Sequence, residues 1–469
     1  VAVPASDPDG VLAAKAAYEG VDLAYSEIAI AKEFAFFYGP DYRYCAERGS
    51  WYWWDDGTWR RDDQLRTMGK VQDVCEGQAR EARLDRAVGN DAKAAGLARQ
   101  LASSRTVRGV ELLARAIPMV AMSASQLDRD PWVLNTPGGL INLRLGVIRD
   151  TVREDFCTRC TAVAPDPERE CPTFMQFLDD VTCGDRELVD WLQVFLGMLL
   201  TGDVSLHVLP MFIGSGRNGK STLADLVLRI MGDYAAKIPS SVLMTDRSGN
   251  RHPTEIAQLM GVRLAVASEV DQGSFWDEAK LKELTGDETL AARFMHRDYF
   301  TFQRTHRFLV LGNYRPQVKS VDPAIRGRLR LVPFRADFSG REDRTLPDRL
   351  WAEAGAILTW MVNGAQAWCD EQRLPPCKAI DAELADYFDS QSTVDNWIDL
   401  ELDQADPAAR TQSGALYRAY RAWKESRGEF PLSQTTWGQT LARRFRKVTS
   451  NGVWYVGVTL RTPADPGLL

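Results

Sequence analysis

The residues best suited to chemistry sit in one run, MFIGSGRNGKST, at 211–222. Gly214, Gly216 and Gly219 fall in a GxxxxGKS spacing, which lets a loop wrap with its backbone N–H groups pointing inward, onto phosphate. Lys220 then supplies a cation for the outer phosphates and Ser221 a hydroxyl for magnesium. The flanks agree with this reading. Val208 to Ile213 is a short apolar run ending at Gly214, and Ser221 to Met231 is an amphipathic stretch with no helix breaker. Strand, loop and helix therefore come in the order phosphate binding requires, and the helix N-terminus adds the positive end of its dipole. The chain is expected to bind a nucleoside triphosphate and to hydrolyse it.

Hydrolysis needs a carboxylate near the metal and the attacking water. The apolar run VRLAVAS, 262–268, delivers Glu269 at its end, about fifty residues after the loop, with Asp271 as the second choice. The next apolar run, RFLVLG at 307–312, delivers Asn313. Ligands of open parallel sheets gather at the carboxyl ends of strands, so Asn313 is placed to sense the terminal phosphate or to orient water. Arg326, Arg328 and Arg330 precede a further strand, LVPF, and one of them can serve as an arginine finger on a neighbour's nucleotide.

The elements that must hold these groups follow from composition and pattern. At 469 residues, the chain has room for about three domains of roughly 150 residues each. Apolar content of 45% and charged content of 26% exclude disordered and fibrous classes. The net charge of -7 argues weakly against nucleic acid, but Arg293 to Arg335 carries ten Lys or Arg against two acids. There RFMHRDYFTFQRTHRF alternates basic residues with aromatics, a composition suited to a hairpin gripping a phosphate backbone. No signal peptide opens the chain and no run reaches a membrane span, so a soluble, cytoplasmic location in a bacterial or phage-infected cell is expected. Eight cysteines at irregular spacing fit free thiols better than disulfides or zinc, although Cys157 and Cys160 have CxxC spacing beside Cys171 and Cys183.

Four segments are expected. Residues 1–25 read as a linker or frayed segment. Residues 26–195 read as a helical domain with a small aromatic hairpin at RYCAERGSWYWWDDGTW, whose tryptophans fill its core rather than stack on bases. Asp128 and Asp130, beside Pro131, read as turn residues rather than metal ligands. Residues 196–375 hold the phosphate loop in a parallel sheet. Residues 376–469 read as helix, turn, helix and a hairpin wing, with Arg443, Arg444, Arg446 and Lys447 giving a basic edge. The fold class is thus multidomain α/β.

In this order, GSGRNGKST, VASEVDQG, KLKELTGDETLAARF, LGN and DPAIRGRLRLVPF resemble the helicase part of phage and plasmid primase-helicases, in helicase superfamily 3, over about residues 200–340. WWDDGTW and DRDPWVLNTPGGLINLRLG resemble the domain that precedes the ATPase there. The resemblance implies an AAA+-like P-loop ATPase that uses ATP and magnesium, forms a hexameric ring and translocates on single-stranded DNA, with forked or origin duplex as further partners. It puts Gly214, Gly216, Asn218, Gly219, Lys220, Ser221 and Thr222 on the nucleotide, Ser221 and Glu269 at the metal, Asn313 as sensor, and Arg328 as finger with Arg326 as alternative. Lys282, Arg293 and Arg297 fall where the family couples nucleotide to DNA, and the C-terminal part resembles a winged-helix module whose Arg443 and Arg444 would meet duplex. Two departures stand out: Ser268, rather than a second acid, precedes Glu269, and Gly327 separates Arg326 from Arg328 where relatives have a tighter pair. A primase-polymerase domain is not expected before Ser26, and would be a partner or a separate segment. Two rival functions remain: an ATP-switched DNA loader without robust unwinding, and a P-loop phosphotransferase acting on a small molecule.

Overall fold

In a computed structural model, residues 24–245, 253–268, 270–271, 274–293, 299–318, 323–404, 406–426 and 431–461 are described. They form two compact units. The first runs to Ile141 and resumes at Val147–Thr161; the second comprises Asn142–Gly146 and everything from Ala162. The architecture is mixed α/β with a parallel sheet, and among the described residues no helix is long and apolar enough to cross a membrane.

The first unit begins with α1 (Glu27–Tyr38), whose first turn is capped by Ser26 Oγ accepting from the Ala29 N–H at 3.2 Å. Strands β1 (Tyr42–Cys45), β2 (Ser50–Asp55) and β3 (Thr58–Arg61) form an antiparallel meander, and β4 (Ala121–Met122) joins β1 in parallel. Helices α2 (Arg66–Leu84), α3 (Asp91–Leu101) and α4 (Ser104–Ala114) pack round Phe34, Val71 and Val110. Trp51 and Trp59 are buried. Trp51 donates its indole N–H to Glu111, whose carboxylate is also gripped by Arg115 at 2.9 and 2.8 Å. A buried carboxylate with this many donors is satisfied, so the tryptophan-rich hairpin is a packing device. A second small sheet follows, from β5 (Val133–Thr136), β6 (Gly139–Asn142) and β7 (Val147–Arg149). Asp130 accepts from the Trp132 N–H at 2.9 Å, which is turn chemistry, whereas Asp128 accepts from the Thr158 N–H at 2.7 Å and ties together two segments 30 residues apart.

The second unit starts with α5 (Pro172–Thr182) and α6 (Arg186–Met198), then β8 (Leu209–Ile213), α7 (Lys220–Met231), β9 (Ala235–Pro239), α8 (Pro253–Ala257) and β10 (Leu264–Ser268). Next come α9 (Glu278–Gly286), a hairpin of β11 (Thr289–Ala292) and β12 (Phe300–Gln303), β13 (Arg307–Gly312), α10 (Pro323–Arg328) and β14 (Leu329–Pro333). The five long strands form one parallel sheet in the order β14-β8-β13-β10-β9. Strand alternation sorts its side chains. Met211, Ile238, Ala265, Val310 and Leu331 face a core completed by Trp276, Leu281 and Leu284, while Phe212 turns the other way, to Phe195 and Phe334 at ring distances of 6.4 and 4.9 Å.

Helices α11 (Leu346–Ala352) and α12 (Ala354–Glu371) return along the sheet. Where α6 and α12 cross there is no room for a side chain: a Cβ on Gly197 would lie 2.1 Å from the Ala365 N, and one on Gly364 would lie 2.1 Å from the Gln193 O. Then α13 (Lys378–Glu401) leads to β15 (Leu402–Asp403), β16 (Arg410–Gln412), α14 (Ser413–Glu425), α15 (Gln434–Arg444), β17 (Arg446–Thr449), β18 (Val453–Val456) and β19 (Thr459–Leu460). Strands β16, β18 and β17 pair antiparallel over a core of Trp397, Tyr420, Trp437 and Tyr455. Helix α13 belongs to two cores at once, since Tyr387 and Phe388 lie in that of the sheet and Val394, Trp397 and Ile398 in that of the C-terminal module.

The crossing of α6 and α12 is a direct test of this packing. Gly364→Ala must push backbone against backbone, so chemical denaturation should show a loss of about 1–3 kcal/mol. A variant with an unchanged unfolding midpoint would contradict the close approach.

Candidate functional site

The loop between β8 and α7 is held from three sides. Gly219 has φ +84°, a left-handed conformation, and a Cβ there would meet Val181 of α5 at 2.4 Å, so only glycine fits. Below it, α5 is fixed by Glu353, whose carboxylate accepts from the Thr173 and Phe174 N–H groups at 3.0 and 2.9 Å. Beside it, the buried Asn218 donates to the Phe334 carbonyl at 3.1 Å, while the Phe334 N–H donates to the Ile213 carbonyl at 2.8 Å. A Cβ on Gly214 would strike that same Phe334 carbonyl, at 2.4 Å.

Lys220 is 5% exposed. Its ammonium donates to three neutral oxygens: the Gly214 carbonyl at 2.9 Å, Asn218 Oδ1 at 2.9 Å and Asn313 Oδ1 at 3.2 Å. Burial disfavours the charged form and lowers its pKa to about 8. The fold thus brings together Lys220 and Asn313, 93 residues apart in sequence. Their meeting point opens into a cavity of 320 Å³ lined by Lys220, Ser221, Asp225, Lys237, Ser268 and Asn313 among others. Cradle, buried cation and cavity suit the phosphates of a nucleotide. Among the described residues no group of three or more His, Cys, Asp or Glu gathers round a metal position. A magnesium ion at this site would find the Ser221 hydroxyl, beside phosphate oxygens and the water that a hard cation keeps in its shell.

Glu269 and Arg297 lie outside the described residues. Asp225 and Lys237, which line the cavity, were not singled out from sequence. The available signal was helical spacing, since Asp225 stands four residues after Ser221 on the exposed stripe of an amphipathic helix.

The arginines near β14 differ in freedom. Arg328 donates to Thr285 Oγ1 at 3.0 Å and to the Ala324 carbonyl at 2.9 Å, which ties α10 to α9. Arg326 is exposed, with its guanidinium 5.4 Å from the Phe388 ring centre. Arg330 donates to the Gly327 and Leu329 carbonyls, and burial lowers its pKa.

The basic and aromatic run at 293–308 divides in two. Its first part carries the exposed Arg293, 5.0 Å from the ring of the exposed Tyr299. Its last part corrects the expectation of a gripping surface: Arg304, His306 and Arg307 are buried at 5%, 0% and 2% exposure. Arg304 donates to the Val204 carbonyl at 3.1 Å and Arg307 to Asp203 at 3.4 Å, so both pin the connection between α6 and β8. Arg304 and His306 lie in the short link between β12 and β13 and Arg307 opens β13, so the packing of this link against 198–204, not strand alternation, takes them inside. Lys282, on α9, is half-buried. On the C-terminal module, Arg443 and Arg444 end α15 on an exposed face, followed by exposed Arg446 and Lys447 on β17.

Comparison with known proteins adds a family to this geometry. Residues 30–183 match the family described as D5 N terminal like, and residues 212–327 a family of unknown function (DUF5906). The chain is 26% identical over 226 residues to the candidate helicase L207/L206 of Acanthamoeba polyphaga mimivirus, covering 47% of this chain and 23% of that protein. It is 25% identical to the candidate helicase 022R of Frog virus 3, covering 46% of this chain and 24% of that one. It is 24% identical to the candidate primase C962R of African swine fever virus, covering 33% and 16%. The chain therefore spans a quarter or less of the length of these relatives. The apo structure of the NrS-1 C terminal region superposes with a TM-score of 0.45 at 9% identity, over 92% of this chain and 99% of that one. Taken with the matched regions, the recurrence of helicase and primase relatives supports the phage and viral primase-helicase family for this chain.

Proposed function

We propose that this chain is the ATP-hydrolysing motor of a DNA-replication helicase, built as a superfamily 3, AAA+-like P-loop domain. The observation that carries the reading is the convergence of Lys220 and Asn313 on one cavity at the carboxyl edge of the parallel sheet, with the buried Asn218 holding the lysine from behind. Lys220 would bind the outer phosphates, Ser221 and Thr222 would lie at the helix N-terminus beside them, and Glu269 would activate water. Asn313, at the end of β13, would register the terminal phosphate through the contact it already makes with Lys220. Magnesium, when bound, would neutralise developing charge on the phosphates.

A positive charge from a neighbouring copy would complete the site. Arg328 and Arg326 are the candidates, and a head-to-tail ring, a hexamer in this reading, would present them. The DNA contacts would come from Arg293, just past the end of β11, from Arg297 and Lys282, and from Arg443 and Arg444 on a C-terminal module read as a winged helix, whose α15 would enter duplex. Relatives named for helicase and for primase both occur. The cavity favours the helicase reading because Lys220 and Asn313 meet in it beside the phosphate loop. The first experiment is ATP hydrolysis with and without single-stranded DNA, followed by strand displacement on a forked duplex. A rate indifferent to DNA would sink the motor reading, and stimulation without displacement would leave a loader.

Three results are expected. Lys220→Ala should lower kcat for ATP by at least about 100-fold, as loss of a preorganised charge donor does, and comparable turnover would remove the loop from the chemistry. Arg328→Ala should be inactive alone, yet an equimolar mixture of it with Lys220→Ala should regain activity. Random assembly joins an intact lysine site to an intact arginine at about a quarter of head-to-tail interfaces, and a mixture as inactive as its parts would argue against a shared site. The third result concerns pH. In the free site Lys220 loses its proton above about pH 8, whereas bound phosphate keeps it charged. Nucleotide binding should therefore draw in a proton at pH 8.5 and weaken as pH rises, but be nearly pH-independent below 7 on this account. Calorimetry in buffers of different ionisation enthalpy reads the uptake, and heats independent of buffer at pH 8.5 would contradict it.

A further inference from the structure

One ion pair on the cavity wall takes no part in the phosphate cradle. Asp225 Oδ1 lies 2.8 Å from Lys237 Nζ. Both line the cavity with Ser221 and Ser268. Their positions follow from the elements that carry them. Asp225 is one helical turn beyond Ser221, and both are exposed while Leu223, Ala224, Leu226 and Val227 are buried. On β9 the neighbouring Ile238 points into the core on the far face, so Lys237 faces α7. The pair thus closes the side of the cavity between α7 and β9.

Among the described residues that line the cavity, Asp225 is the only carboxylate. A divalent cation held by Ser221 and phosphate oxygens keeps several of its waters, and those waters need acceptors. Asp225 is within one turn of Ser221 on the same stripe. Its partner is replaceable, because the two side chains are 59% and 66% exposed and an ion pair so open to water holds little energy. A cation beside Asp225 and phosphates beside Lys237 would offer each group a closer opposite charge than it has now.

Resting on the nucleotide reading of this site, we propose that Asp225 positions the phosphate-bound divalent cation by accepting hydrogen bonds from its water shell, and that Lys237 is the counter-ion that holds this carboxylate in the cavity while the cation is absent. The role is one of positioning, through water, and is separate from that of Glu269.

The test measures ADP binding to the full chain by calorimetry, in magnesium and in EDTA, with no turnover involved. Asp225→Asn is expected to lose about tenfold of the affinity gain due to magnesium, the usual scale for a partner one shell out from a metal. Its affinity in EDTA should equal that of the wild type, and Asp225→Glu should recover most of the gain. Lys237→Met should lower the magnesium concentration at half-effect, because a competing cation is gone. Manganese in place of magnesium should give a bound-ADP spin resonance spectrum that differs between wild type and Asp225→Asn. Full magnesium gain in Asp225→Asn would overturn the proposal, as would an equal loss with and without metal, which marks a purely structural role. A wild type that binds no ADP, or a Lys220→Ala variant that binds it normally, would overturn the nucleotide site itself instead.

Discussion

The second unit is organised round an ammonium group that has lost most of its water and, among the described residues, pairs with no carboxylate. Lys220 is surrounded by three neutral oxygens, and burial is the one cause that lowers its pKa. Neutral acceptors satisfy its donors without cancelling its charge. An anion entering the cavity does both, so the folded state carries a cost that phosphate removes. Such an arrangement survives only if the surrounding backbone cannot relax toward the lysine. That requirement explains the shell: α5 pressed under Gly219, the Glu353 carboxylate fixing α5, and the Phe334 carbonyl holding Asn218.

The same requirement separates what was legible in the sequence from what was not. The strand–loop–helix at 209–231 could be read because each part is local: an apolar run, glycines in a fixed spacing, and an amphipathic stripe. The strand ending at Asn313 could be read for the same reason, with bounds matching those of β13. That Asn313 touches Lys220 depends on β13 lying beside β8, a pairing of residues about a hundred apart that no local pattern encodes. Arg304, His306 and Arg307 fail in the opposite sense. Their types suggest solvent and phosphate, yet they lie inside, because the connection at 198–204 offers carbonyls and Asp203 for arginines to bind. Charge in a sequence reports what a residue needs, not whether the fold has already supplied it.

The LPPCK turn at 374–378 has the composition of a boundary, but α13 behind it is shared between two cores. Arg315, two residues past Asn313, pairs with Glu383 and Asp386 on that helix, Arg335 after β14 reaches Glu383 at 3.5 Å, and the Tyr387 hydroxyl donates to the Pro316 carbonyl at 2.5 Å. The segment after Asn313 is therefore fastened to the helix that also carries Trp397 and leads into the C-terminal module. Rotating α13 would expose Tyr387 and Phe388 on one side or Val394 and Trp397 on the other, four largely apolar side chains at 1% exposure or less. At roughly 1.5–3 kcal/mol for each large apolar side chain exposed, that cost exceeds what surface ion pairs contribute, so burial rather than charge keeps the helix in register. The ion pairs select which carboxylates face the loop after Asn313. The aromatic residues decide that the core beside the loop after Asn313 and the core of the C-terminal module share one helix.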